Sequence, residues 1–520
     1  MNFARSVLLA IVGLLASSQA QGFTFIGPFK PWMVEAIGYQ VNSQDGGPLP
    51  PDEGFRWNTP TIYYAFDRSF IEYFGTNGVA AVESALKVYS DLPAFGSMST
   101  DLSEYPLNTR GLNFSARQTG LIDLKSQTMG LMMQQLGVGA AEHFVWSIKS
   151  RVVRNQVTNY TVVKYNYDPV TLRPSSYVNG ALYTYEIYDP LTLPDNTTAA
   201  LAGEIKVSDL RTRGYSSVAN STADGGDTVV SVEQDPVTGT MVSASGELLS
   251  GQYFFGLTRD DVGGLRRLYS SQNLAVENLY PGAIVSGGAS VVGGNPWEVT
   301  TLTNTIIGTN VLGTNTSIAL RPGLGKLKFS RVNYDSIVGQ AFNPFVVNYN
   351  ETIILNFRQV SRRVSRLVTQ PDILFSARDI GTSPTGLPFA FSVTQPSSWT
   401  ANAALNTHSG VGGGGGDGTG PIGPGVISGT VEVAFTSLYP AFVNINPGDI
   451  AETAPVAAWG SYDGSPTPPV VYPFYGGTSF QTLQQIAASG GLDTGSGLSP
   501  WASSVIVVVG TNTTTAGTTP

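Results

Sequence analysis

The stretch that decides how this chain is read is Leu121–Trp146, LIDLKSQTMGLMMQQLGVGAAEHFVW. Met129, Met132, Met133 and Leu136 recur there at i, i+3, i+4 and i+7, so a helix places all four on one face. A helix is therefore expected from about Leu121 to Leu136, with Asp123 near its start as a cap. Its methionine stripe should face a core, because an unbranched thioether fills irregular apolar gaps. A turn carrying Gly137 and Gly139 follows, and then the adjacent pair Glu142 and His143.

Two further segments frame this one. Upstream, Thr61–Phe66 (TIYYAF) is β-branched and aromatic, as a strand should be, and Val82, Ala85, Leu86 and Tyr89 follow at helical spacing. Downstream lies Phe255–Tyr269, FGLTRDDVGGLRRLY. Thr258 can cap a helix there, Asp260 and Asp261 fall at the positive end of its dipole, and Val262, Leu265, Leu268 and Tyr269 share a face. In layout the three segments resemble the matrixin-like (metzincin-type) secreted metallopeptidases. The first is similar to that family's opening strand and long helix, the second to its HExxHxxGxxH helix and turn, and the third to its terminal L-x-x-D-D-[IV]-x-G-[IL]-x-x-L-Y helix. The resemblance implies an α+β domain over residues 58–280, with a β-rich insertion at about 151–256.

The same resemblance implies zinc chemistry that the residues do not supply. Gln134 and Gln135 stand at the first His and the catalytic Glu, Val138 at the second His and Phe144 at the third. A hydrolytic zinc needs about three protein ligands, an open position and a base. The chain has two histidines, His143 and His408, and no cysteine, which excludes a three-histidine site within one chain. An inverted H-x-x-E-H is absent too, because Gly139 occupies its first position. Glu142 and His143 remain as weak catalytic candidates, either as a helix-end histidine bonded to backbone or as part of a mixed site with carboxylates. No G-x-S-x-G elbow is present, and no metal or cofactor is expected. A carboxylate pair for glycoside hydrolysis cannot be located among 37 Asp and Glu residues.

Composition narrows the setting. Arg5, the apolar run Val7–Ala16 and Ser18-Gln19-Ala20 have the form of a secretory signal peptide, residues 1–20, with cleavage after Ala20. That run is shorter than the roughly 20 residues that span a bilayer, and no later one reaches that length, so no transmembrane segment is expected after cleavage. The chain should be secreted or held at the cell surface. Without cysteine, disulfides cannot supplement the core, which fits a bacterial better than an animal secreted protein. A net charge of -9 with 12% charged residues offers no basic stripe, which argues against nucleic acid and anionic membranes as partners. The sequons at Asn113, Asn159, Asn196, Asn220, Asn315, Asn350 and Asn512 are read as chance in an Asn- and Thr-rich chain.

With 520 residues and roughly 100–200 per domain, two to four domains are expected. Residues 21–57 read as an extended arm anchored by Trp32 and Trp57. Asp168-Pro169, Asp189-Pro190 and Asp235-Pro236 open hairpin turns in the insertion. A linker is expected at 281–296 and a β-sandwich-like, all-β region at 297–475. Its strand candidates are Trp297–Thr303, Ser317–Leu320, Leu327–Val332, Phe345–Asn348, Thr352–Phe357, Ile373–Phe375, Val426–Phe435 and Val470–Tyr472, with Trp459 in a further one. Arg358–Arg366, with Val360, Val364 and Leu367 at helical spacing, reads as a solvated helix or turn. Residues 406–425 hold Gly412–Gly416 and read as a flexible loop, and 476–520 as a short helix, a strand and a disordered tail. The expected function is that of a secreted, non-catalytic matrixin-like protein, binding an unknown extracellular or cell-surface ligand or serving as a structural component. The alternative is a secreted, metallopeptidase-like hydrolase with an unconventional site near Glu142 and His143.

Overall fold

The computed structural model describes residues 22–28, 47–154, 157–188, 228–233, 248, 250–285, 319–334, 342–355, 358–377, 392–394, 398–400, 425–435 and 458–472. The expectations for Trp32, Asp189-Pro190, Asp235-Pro236, Trp297–Thr303, His408, Gly412–Gly416 and 476–520 lie outside them.

A five-stranded sheet runs in the order Phe329–Arg331, Ile62–Phe66, Ile373–Ser376, Val431–Phe435, Ser392–Thr394. Its first three pairings are parallel and the last is antiparallel. The inner strands are buried at nearly every position, as strands covered on both faces must be. The Arg68–Ser90 helix covers the sheet. It starts where Asp67 accepts from the Phe70 amide at 2.9 Å, and it kinks at Gly75, whose φ of 60 suits glycine. Phe66, Phe70, Phe74, Phe375, Phe435 and Trp459 form a chain of ring contacts beneath it.

The Leu124–Gln135 helix packs against the first, and Tyr89 donates its hydroxyl to the Met129 carbonyl at 2.5 Å. Its start differs from the expected Leu121. Leu121–Asp123 is a strand parallel to Ala458–Ser461, and Asp123 caps the helix by accepting from the Ser126 amide at 2.8 Å. The cap sets the first turn, so the helix cannot begin before it. The Arg259–Tyr269 helix opens on a reciprocal capping box between Thr258 and Asp261. Asp168 closes its turn by accepting from the Val170 and Thr171 amides.

A second, antiparallel sheet runs Ala275–Glu277, Ala319–Arg321, Phe345–Leu355, Arg358–Val368, Ala283–Val285. Two expectations are corrected here. Phe345–Asn348 and Thr352–Phe357 belong to one continuous strand as far as Leu355, and Arg358–Arg366 lies in its antiparallel partner instead of a helix or turn. Val360 and Val364 are four apart, a spacing that serves both a helical face and one face of a strand. Burial of Arg362 and Arg366 with Val364 and Val368 settles it as a strand.

The linker expected at 281–296 does not separate two cores among the described residues. Ala283–Val285 within it is a strand of the second sheet. Ile62–Phe66 lies between strands drawn from beyond it, and one cluster of buried side chains extends from Phe23 to Tyr472. The arm is equally integral: Thr24–Gly27 pairs with Gly47–Leu49 and Val138–Gly139, and Phe55–Arg56 pairs with Gly425–Ser428. No helix among the described residues is long and apolar enough to cross a membrane.

Candidate functional site

The positions singled out by the zinc-motif resemblance fall in packed structure. Met129, Met132 and Met133 are fully buried, and Gln135 is 1% exposed, with its carbonyl accepting from the Trp57 indole at 2.8 Å. Gln134 is half-buried, and its side-chain oxygen is sealed from solvent without a hydrogen-bond partner. Val138 pairs with Phe25 in a strand and sits against Gly264, and Phe144 is buried. Glu142 and His143 lie in the Ala141–Phe144 helical turn, and their side chains are outside the described residues. Among the described residues, no group of three or more His, Cys, Asp and Glu side chains is placed to hold a metal ion.

One prediction follows from this packing. Met133→Asp should cost at least roughly 3 kcal/mol, since it buries a carboxylate in the apolar core. Urea denaturation measures it, and a loss below about 1 kcal/mol would mean the helix face is not core.

A pocket of about 440 Å³ opens where the second sheet meets the first. Tyr280, Gly282, Ile284, Val346, Leu367 and Pro371 wall it, and Arg366 and Asp372 form its polar floor. Strand alternation explains the division. Arg366 points inward with Val364 and Val368, while Leu367 points out beside its cross-strand neighbour Val346. Ile284, Val346 and Leu367 are 67%, 59% and 47% exposed, an apolar rim on an otherwise polar face.

The floor is a closed network. Asp372 accepts from the Tyr280 hydroxyl at 2.7 Å, from the Tyr63 amide at 2.8 Å and from both terminal nitrogens of Arg366. Arg366 also donates to Thr59 at 3.1 Å and lies over the Tyr280 ring at 4.0 Å. Burial disfavours the guanidinium charge, but Asp372 more than offsets it, so the Arg366 pKa is raised. Burial, reinforced by the Asp372 charge, pushes the Tyr280 phenol well up. Asp372 is thus committed as an acceptor, and Tyr280 holds its proton. The floor offers no free base or nucleophile. The Nε of Arg366 is sealed from solvent and unpartnered, so it is not open to the pocket.

The arginines of this strand read from sequence as solvent-facing, and nothing in the sequence around Asp372 or Tyr280 marks them out. Tyr63 and Asp372 are 309 residues apart, so only the alternation of valine and arginine over 360–368 hinted at charges turned inward.

Comparison with protein-family models, with curated proteins and with solved structures gave no match to this chain.

Proposed function

We propose that this chain is a secreted, non-catalytic protein of matrixin-like layout that binds an extracellular or cell-surface ligand at the Tyr280–Asp372 pocket. The observation that carries the reading is the pairing of an exposed apolar rim with a floor whose ionic groups neutralise each other. Such a site gains free energy by covering apolar surface, and it has no group poised to exchange protons with a substrate. Its ligand is uncharged and largely apolar. The glutamines and valine at the zinc-motif positions support the same reading, since they give neither ligands nor a base.

Nile red, a neutral apolar dye, tests this directly. It should bind saturably, and Leu367→Asp should weaken binding about tenfold or more, while leaving stability within about 0.5 kcal/mol because the site is on the surface. Unchanged affinity in that variant would remove the pocket from consideration. Casein hydrolysis that is lost both with a chelator and in His143→Ala would overturn the non-catalytic reading and favour the hydrolase alternative.

A further inference from the structure

A second pocket, of about 340 Å³, lies beside the end of the Arg259–Tyr269 helix, with Phe95, Met98, Leu172, Arg266, Arg267 and Gln272 in its lining. Its two arginines differ. Arg266 is engaged, donating to the carbonyls of Ser99, Thr100 and Pro169. Arg267 donates no hydrogen bond among the described residues, and its Nε is closed off from solvent without a partner. The inward arginines elsewhere do otherwise: Arg56, Arg321, Arg362 and Arg366 each meet a carboxylate.

Leaving a half-buried guanidinium unmatched costs free energy that an anion would recover. The carboxylates around it do not fill that role. Asp52, which is exposed, influences Arg267 electrostatically without forming an ion pair, while Glu104 and Asp101, which act on the neighbouring Arg266, accept from the Ser99 and Ser103 amides at 2.9 and 3.2 Å. Those three acidic groups disfavour a dianion. A planar monoanion matches the edge of one guanidinium.

We propose that this pocket binds a small organic carboxylate, held on the terminal guanidinium nitrogens of Arg267 with its carbon skeleton against Phe95, Met98 and Leu172. The site is separate from the apolar pocket, so the two can fail independently. The test is calorimetric titration of the full chain with benzoate, with phosphate and sodium chloride as controls at equal ionic strength. Benzoate should bind saturably, and Arg267→Gln should weaken it at least tenfold. Gly96→Phe, placed where an added Cβ meets no atom within 4 Å, should block the pocket without touching Arg267. Both variants should keep their Nile red affinity. No saturable benzoate binding, equal affinity in Arg267→Gln and wild type, or phosphate binding tighter than benzoate would each overturn the proposal.

Discussion

Arg56→Met is expected to cost about 3–5 kcal/mol, because it strands a buried carboxylate. Arg56 is 1% exposed and donates to Glu277 at 2.8 Å and to the carbonyls of Leu268, Asn273 and Arg321 at 3.0, 2.8 and 3.2 Å. It fastens the arm to the end of the Arg259–Tyr269 helix and to two strands of the second sheet. The ionic chain continues from there: Arg321 reaches the Glu277 carbonyl and pairs with Glu351 at 2.8 Å, and Arg362 pairs with the other Glu351 oxygen. Burial already raises the Glu277 pKa, with Arg56 and then Arg321 opposing it, so loss of Arg56 pushes it further toward the protonated form. Urea denaturation should show the midpoint falling with the slope unchanged, and Arg56→Met/Glu277→Gln should recover part of the loss. A single-variant cost below about 1 kcal/mol, or a double variant no better than the single, would show that the pair does not hold the arm.

The second large effect concerns pH, and its sign is opposite to that of ordinary acid denaturation. Burial raises the Asp123 pKa from 3.8 to about 6, against hydrogen bonds from Ser126. Burial likewise lifts the fully buried Asp260 well above the ordinary value. A carboxyl group whose folded pKa is raised binds its proton more tightly when folded, so its contribution is full below the unfolded value and is lost as pH rises through the folded one. For Asp123 that window runs from 3.8 to about 6 and amounts to roughly 3 kcal/mol. Thermal unfolding should therefore occur at higher temperature at about pH 4.5 than at pH 7. Asp123→Asn keeps a good cap and should flatten the difference. A melting temperature that rises from pH 4.5 to 7 in the wild type, or an unaltered profile in Asp123→Asn, would refute this.

What the sequence revealed was local. The methionine face, the Asp123 cap and the Thr258–Asp261 start can each be read within a turn or two, and the structure places each where the spacing put it. The strand at Arg358–Val368 was obscured because a four-residue spacing is shared by both periodicities, and arginine ordinarily signals solvent. Its inward charges became intelligible only through Glu351 and Asp372. The apolar pocket could not be read at all. Its walls come from Tyr280, Ile284, Val346, Leu367 and Pro371, and no sequence spacing records that they meet.

The interleaved parallel sheet has a consequence for how the chain is made. Ile62–Phe66 leaves the ribosome early, yet its two neighbours begin at Ile373 and Phe329, and the next strand beyond Ile373–Ser376 at Val431. For most of synthesis that strand has no sheet to join, and closing such long loops must precede any gain from pairing. The nascent chain therefore stays open along its sheet until late in synthesis, with the apolar faces of Ile62–Phe66 uncovered for most of that time.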